Sequence, residues 1–277
     1  MLSYDDNVFL MLGGKEKYLE SIAQLVEFAA IREQDSVLEM CCGTGLSTQT
    51  ILTKTKKVVA VELNRERMDI ARERLPSSVP LLMKNALDLD HNDGIYDVII
   101  CINGFHYFEQ SEQFYALAHR MLCKNGRLIF NVKLHDHNGI RPMHTYMPSV
   151  VYNSIIDVQR LDPDRKAMDT AFIDSPQTEN TFSVPPLFCM QRSKTYALYY
   201  DSKSMPSYIE YLRHVAVDLT GNELFLEGWS GHPTSLAYHT YDSFTRRIHH
   251  YISQEVSEEK RLIKAELFVE AIKRSKT

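Results

Sequence analysis

The stretch that most constrains this chain runs from residue 36 to residue 48 and reads SVLEMCCGTGLST. Its first part, Val37–Met40, is a short apolar run of the kind that forms a buried parallel strand, and a loop with two glycines follows at once. Gly43 and Gly45 let the backbone approach a ligand closely and take φ values that other residues resist. The stretch therefore predicts a strand, a loop and a helix start that together hold a nucleotide-containing ligand.

The class of ligand follows from charge and from the residues after the loop. A dinucleotide site needs G-x-G-x-x-G with a pyrophosphate at the helix N-terminus, but Thr48 stands where the third glycine would be. We expect the hydroxyl of Ser47 or Thr48 to cap that helix. Glu39, at the mouth of the loop, repels a diphosphate but suits a ligand that carries an ammonium and a sulfonium group. The sequence thus favours S-adenosylmethionine over a nicotinamide or flavin dinucleotide.

A second carboxylate supports this choice. Residues 57–62, KVVAVE, read as the next buried strand, and Glu62 follows the loop by about the 20 residues at which Rossmann-like folds place a ribose acceptor. With these residues the sequence resembles the class I, Rossmann-like S-adenosylmethionine-dependent methyltransferases, whose first motif runs V-L-D/E-x-G-x-G-x-G. Cys41 replaces the first glycine of that motif. The resemblance covers Val37 to Val132 and extends to Leu262–Ile272 but not to the segment between them, and it is to the small-molecule type.

The resemblance also implies which residues contact the cofactor. Asn85-Ala86 is similar to the family's D-A segment, in which a side chain and the next backbone amide read the adenine edge, and Asn85 keeps an acceptor oxygen. The alternative for residues 85–88 is a plain polar turn. The full set of expected cofactor contacts is Glu39, Cys41, Gly43, Gly45, Glu62, Leu63, Asn85, Ala86 and Cys101.

The order of apolar runs predicts the fold. Five strands alternate with helices between Val37 and Val132, with a turn at residues 124–126 before the fifth strand, and this alternation calls for a parallel, doubly wound α/β sheet with right-handed crossovers. Leu262 to Ile272 alternates apolar and charged residues and is expected to be an antiparallel last strand. We therefore predict a mostly parallel, seven-stranded Rossmann-like sheet.

The chain is expected to divide into three parts. Residues 1–133 form the cofactor-binding core with an N-terminal lid helix, residues 134–230 a substrate cap inserted after the fifth strand, and residues 231–277 a helix and the last strand. Six prolines between residues 134 and 191 favour an insertion over another strand-helix unit. Two alternatives stay open: Phe9 and its neighbours merely anchor the terminus, and the aromatic rings of the cap build its own core instead of a pocket.

The loop after the fourth strand carries the candidate catalytic residue. Loops at the carboxyl ends of parallel strands face the ligand crevice, so residues 101–107 should border cofactor and substrate, and His106 is placed to act as a general base. Alternatively, it only hydrogen-bonds within the loop. The D/N/S-P-P-Y/F/W signature of amino-methyltransferases is absent after Asn103. No metal site is expected, because His135 and His137 have only Asp136 nearby.

Composition bounds the partners and the compartment. A net charge of −5, with basic residues spread along the chain, disfavours nucleic acid as a partner. Five scattered cysteines indicate reduced thiols, and the absence of a signal or long apolar stretch predicts a cytoplasmic protein that spans no membrane. A homodimer is compatible with the sequence.

The expected function is methyl transfer to the O, N or C atom of a small or medium organic acceptor. The alternatives are a protein or RNA methyltransferase, and a protein that binds S-adenosylmethionine without methylating.

Overall fold

A computed structural model describes residues 3–108, 110–143, 182–220 and 261–274. The strands are β1 (Val37–Met40), β2 (Val58–Glu62), β3 (Leu81–Met83), β4 (Tyr96–Cys101), β5 (Leu122–Lys133), β6 (Phe188–Tyr199) and β7 (Leu262–Lys273). The helices are α1 (Tyr4–Met11), α2 (Lys15–Ala29), α3 (Leu46–Ile51), α4 (Arg65–Arg74), α5 (Ser111–Met121) and α6 (Met205–Thr220). Single 3-10 turns cover Ala86–Asp88, His91–Asp93 and Phe105–Tyr107.

The seven strands form one sheet in the order β3-β2-β1-β4-β5-β7-β6. β1 pairs in parallel with both β2 and β4, and β7 pairs antiparallel with β5. The prediction of a mostly parallel, seven-stranded α/β sheet with an antiparallel strand from residue 262 is confirmed. Because the strand order reverses between β1 and β4, the ligand crevice is expected at the carboxyl ends of these two strands. Met40 and Cys101 are register partners at that point.

The core strands are buried for the reason that the sequence indicates. All four residues of β1 are buried, and so are five of the six in β4, as expected for apolar strands covered by helices on both faces. α5 turns Phe114, Leu117 and Met121 toward the sheet. The turn expected at residues 124–126 appears as an irregularity inside β5, which begins earlier, at Leu122, and shifts register between its pairs with Tyr96 and Val98.

The chain falls into two compact units. One comprises Met1–Tyr18, Leu134–Thr178 and Ala197–Ala265, and the other Leu19–Lys133, Glu179–Tyr196 and Glu266–Thr277. Within the first unit, α1 lies on α6, and the Tyr200 hydroxyl donates to the backbone oxygen of Met11. Gly13 has φ +81°, and a Cβ there would lie 2.7 Å from the Ser204 Cβ. The N-terminal segment is therefore helical and docked, while its role as a lid stays a prediction.

The structure describes only part of the predicted cap. Residues 144–181 and 221–260 lie outside the described residues, and with them most of the expected aromatic pocket and the helix expected at 236–252. β6 falls inside the 134–230 segment and joins the edge of the core sheet beside β7. The division of the chain at residues 134 and 231 stays a prediction. In the described part of the chain, no helix is long and apolar enough to cross a membrane.

Candidate functional site

The loop after β1 adopts left-handed backbone conformations at three positions. Cys41 has φ +60°, Gly43 +56° and Gly45 +83°. The cysteine thus takes the conformation that a glycine would take there without steric cost, so the loop follows a glycine-like path despite the substitution. A non-glycine residue in this region costs about 1 kcal/mol or more.

The two glycines of this loop have different surroundings. A Cβ added to Gly45 would lie 2.9 Å from the Leu75 Cδ1, so this glycine is required by close packing against the end of α4. A Cβ added to Gly43 would meet no atom of the described residues within 4 Å, so this edge of the loop is open as far as those residues are concerned. Arg74 at the end of α4 also donates to the Thr44 backbone oxygen at 2.7 Å. Of the two glycines, Gly43 is the one at which a ligand can approach.

Glu39 is a carboxylate that the fold buries completely, with 0% of its surface exposed. The Thr48 hydroxyl donates to its Oε2 at 2.6 Å, while its Oε1 has no hydrogen-bond partner among the described residues. Desolvation raises the pKa of Glu39 to about 7, against the lowering effect of hydrogen bonds from Ser47 and Thr48. The expectation that one of these hydroxyls caps α3 is wrong: the N-cap is Gly45, without a side-chain bond, because Glu39 engages both hydroxyls.

Glu62, at the end of β2, organises the loop backbone. Its Oε2 accepts from the Gly43 amide at 2.9 Å, and its Oε1 accepts from the amides of Leu63 and Asn64 at 2.9 and 2.8 Å. The carboxylate is 7% exposed. Because a carboxylate offers about four acceptor positions, three backbone bonds leave capacity for one more donor. Glu62 therefore holds the first loop in place in addition to any ligand contact.

The ends of β2 and β3 carry exposed apolar side chains next to the predicted adenine contacts. Leu63 is 64% and Met83 48% exposed, and Glu62 and Met83 are register partners on neighbouring strands. Asn85 is exposed, and its Oδ1 accepts from the Leu87 amide at 3.0 Å to cap the short turn that begins at Ala86. The polar-turn alternative thus describes the local geometry, and one lone pair of this oxygen remains for a ligand.

Two thiols meet where β1 and β4 end. A Cβ at Gly104 would lie 2.8 Å from the Cys101 sulfur and 3.2 Å from the Cys41 sulfur. Cys101 is fully buried, and its hydrogen bond with Cys41, together with desolvation, raises the pKa of the Cys101 thiol well above its usual range. At neutral pH the buried thiol is protonated. The Cys101 thiol therefore packs against the loop that contains Cys41.

His106 lies in the 3-10 turn that follows β4, at the same end of the sheet. Desolvation by the surrounding protein and, to a lesser degree, the Lys133 ammonium lower the pKa of His106 to about 4, although the residue as a whole is exposed. The ring is therefore uncharged at neutral pH and can accept a proton. Phe105 anchors the turn, with its ring centroid 5.0 Å from those of Phe114 and Phe130.

All the predicted site residues lie at, or shortly after, the carboxyl ends of parallel strands β1 to β4, although their roles stay predictions. Sequence reasoning missed Asn131 in β5 and Glu266 in β7, which hydrogen-bond to each other at 2.8 Å beneath the His106 loop. Neither residue belongs to a motif. Among the described residues, no group of three or more metal-ligating side chains occurs, and His135 instead lies 2.8 Å from Arg141.

Comparison with known proteins adds to this geometry. Residues 37–126 match a family model described as a methyltransferase domain. An uncharacterized methyltransferase from Oceanobacillus iheyensis is 29% identical over 129 residues, which are 46% of this chain and 60% of that protein. A ribosomal RNA small subunit methyltransferase A from Anaeromyxobacter dehalogenans is 40% identical over 78 residues, 28% of this chain and 26% of that protein.

A solved structure of a provisionally assigned methyltransferase from Bacillus halodurans C-125 has a similar fold. Its TM-score is 0.50 at 15% identity, and the match covers 92% of this chain and 100% of that one. This likeness concerns the fold alone. The chain spans 60% of the Oceanobacillus protein and 44% of a Bacillus subtilis relative. The family model, by contrast, covers the part of the chain from β1 into β5.

Proposed function

We propose that this chain is an enzyme that binds S-adenosylmethionine and methylates a small or medium organic acceptor, and the match of residues 37–126 to a methyltransferase domain supports this. The observation that carries the proposal is Glu39. One oxygen of this buried carboxylate has no hydrogen-bond partner among the described residues, which costs several kcal/mol, and a cationic ligand at the crevice would offset that cost. The ammonium and sulfonium of this cofactor supply such charge.

The other loop residues fit the rest of the cofactor. The open edge at Gly43 admits a ligand beside the backbone, and Glu62 keeps one acceptor position for a ribose hydroxyl. Leu63 and Met83 offer apolar surfaces for the faces of a base. The Asn85 side chain and the Ala86 backbone amide would hydrogen-bond to the edge of that base. Cys41 and Cys101 would support the loop beneath it.

The chemistry divides between cofactor and protein. The cofactor supplies a methyl carbon made electrophilic by the sulfonium. The protein has to align an acceptor with that carbon and exclude water, for which effective molarities of about 10⁵ M or more are known. His106 is uncharged at neutral pH and would take the proton that leaves a hydroxyl, amine or carbon acceptor. An imidazole of low pKa is a weak base, so it best serves an acceptor whose proton is already acidic.

A small organic acceptor is favoured by charge. The chain has a net charge of −5 and shows no clustering of basic residues along its sequence, whereas an RNA or protein methyltransferase needs a basic or extended groove. The ribosomal RNA methyltransferase relative covers only 28% of this chain, so its acceptor does not transfer to it. The cytoplasm remains the expected compartment. The runner-up is a protein that binds the cofactor without transferring its methyl group.

Calorimetric titration with S-adenosylmethionine, S-adenosylhomocysteine and a nicotinamide dinucleotide tests the cofactor. We expect micromolar binding of the two sulfur ligands alone. Methyl-labelled cofactor should then be incubated with three separate pools: small metabolites, total RNA and denatured protein. Label in the metabolite pool supports the proposal, and label in RNA or protein supports the alternatives. Cofactor binding without label in any pool favours the non-methylating protein, and absence of binding ends the enzymatic hypothesis.

A further inference from the structure

The loop that carries His106 begins with a residue in an uncommon backbone conformation. Asn103 has φ +55°, in the left-handed region that asparagine tolerates better than most residues. Its backbone amide donates to the Asn131 Oδ1 at 2.7 Å, and its own Oδ1 accepts from the Asn131 Nδ2 at 2.8 Å. Two reciprocal hydrogen bonds to one side chain therefore fix both the backbone and the side chain of Asn103.

Asn131 is itself held by a buried carboxylate. Its Nδ2 also donates to the Glu266 Oε1 at 2.8 Å. With both amide hydrogens and the oxygen engaged, the Asn131 amide cannot rotate without losing all these bonds. Asn131 is 4% and Glu266 2% exposed, so water does not replace a lost partner and the bond to the carboxylate is of the stronger, charge-assisted kind.

We propose that Asn131 and Glu266 are positioning residues for the acceptor side of the site, because through Asn103 they set where the His106 loop lies. This inference rests on the proposed function for its catalytic meaning but not for its geometry. Lys133 lies two residues beyond Asn131 on the same strand, is the register partner of Glu266, and is close enough to His106 to influence its protonation. The hydrogen bonds among Asn103, Asn131 and Glu266 thus link β5, β7 and the loop after β4.

A purely structural tie between β5 and β7 is the competing interpretation. Glu270 provides the matched control, because it is also a buried β7 carboxylate, 4% exposed, paired with Arg127 at 3.3 Å and with Arg192. Replacing it perturbs the same strand pair without touching the His106 loop. If the role is only structural, variants at residues 266 and 270 should have similar effects on the pKa of His106. If it is positioning, only the variants at residue 266 should change that pKa.

The test is a histidine-labelled NMR titration of the full chain, in which the His106 resonance is assigned by its loss in His106→Ala. We expect Asn131→Ala and Glu266→Ala to raise the pKa of His106 from about 4 by at least one unit toward its ordinary value. Glu266→Gln, which keeps an acceptor oxygen, should restore most of the wild-type titration. Glu270→Gln should lower the melting temperature and leave His106 unchanged.

Kinetics and binding complete the test. Once an acceptor is known, Asn131→Ala should lower kcat at least tenfold while cofactor Kd changes less than about twofold. An unchanged His106 titration in both folded variants would overturn the inference. If Asn131→Ala or Glu266→Ala does not fold, Asn103→Gly takes its place, because it suits the φ of +55° and removes only the side-chain partner of Asn131, and a His106 that titrates as in wild type overturns the inference there too. If the pKa of His106 shifts in these variants but the protein never transfers a methyl group, the positioning inference stands and the proposed function is wrong.

Discussion

The chain holds the two sides of its crevice in different ways. At the ends of β1 and β2, which we call the cofactor half, Glu62 accepts from three backbone amides that lie 1, 2 and 19 residues away. At the end of β4, which we call the acceptor half, Asn103 is held by a side chain 28 residues away, and that side chain by another 135 residues further. A local motif can therefore specify the first half, while the second depends on strands that meet only in the folded sheet.

The largest expected effect falls on the cofactor half. Glu62→Ala removes the proposed ribose acceptor and also releases the amides of Gly43, Leu63 and Asn64, so we expect cofactor affinity to fall about 100-fold, or about 3 kcal/mol. Calorimetric titration measures it. Glu66→Ala, which removes an exposed carboxylate from the first turn of α4, is the control and should bind as wild type. Affinity within threefold of wild type would contradict the assignment of Glu62 to the ribose.

The two glycines of the loop should separate folding from binding. Gly45→Ala forces a Cβ to 2.9 Å from Leu75 at φ +83°, and we expect a loss of about 1–3 kcal/mol of unfolding free energy. Gly43→Ala meets no neighbour, so stability should fall by only about 1 kcal/mol, while cofactor affinity drops because the new methyl group occupies the ligand's approach. Denaturant unfolding and calorimetry measure the two. Equal stability losses with unchanged affinity would show that Gly43 does not border the cofactor.

The acceptor half is tested by removing its candidate base. His106→Ala should lower turnover at least tenfold without changing cofactor affinity, because the proposed role of the ring is to take a proton from the acceptor and not to bind the cofactor. His91→Ala, an exposed histidine in another 3-10 turn, is the matched control. Since the pKa of His106 is about 4, its titration should not affect kcat between about pH 6 and pH 8. Turnover equal to wild type would remove His106 from the mechanism.

Buried Glu39 predicts a pH dependence of cofactor binding. If only the ionised form binds a cationic ligand, a pKa of about 7 makes affinity rise about tenfold between about pH 6 and pH 8. The titratable or polar groups that interact with this carboxylate include Ser47, Thr48, Glu62 and the thiols of Cys42 and Cys101. Titrations across this range measure the slope, and Glu39→Gln should abolish it while lowering affinity. A flat profile in the wild type would mean that Glu39 is ionised before the ligand arrives.

The same group predicts the pH dependence of stability without ligand. Its folded pKa lies above the model-peptide value of 4.5, so the folded state holds the proton more tightly than the unfolded state. The associated stability is fully present below about pH 4.5 and is lost as pH rises toward about 7, with a total change of about 3 kcal/mol. Glu39→Gln should remove this pH dependence of the unfolding free energy and stabilise the apoprotein at about pH 8. Denaturant unfolding at several pH values measures it.

The comparison of the two halves also explains what could be predicted from sequence. The apolar runs specify β1, β2 and β4 because both faces of a parallel strand are buried, and the spacing from Gly43 to Glu62 identifies the cofactor loop. The prediction that Ser47 or Thr48 caps α3 is wrong because capping is a local rule, while the buried Glu39 carboxylate competes for the same hydroxyls. Asn131 and Glu266 carry no local signal, since only the antiparallel return of β7 brings them together.

The smallest expected effect concerns Cys41, the one departure from the glycine pattern of the motif. At φ +60°, Cys41→Gly relieves about 1 kcal/mol of backbone strain but gives the unfolded chain more freedom, so we expect a net gain of about 0.5 kcal/mol, or about 1–2 °C in Tm. Cys42→Gly, at a neighbour without positive φ, should be destabilising and serves as the control. If Cys41→Gly also lowers Tm in calorimetric scans, the contact of its thiol with Cys101 and Gly104 outweighs the strain, and the cysteine then contributes to the support of the cofactor half.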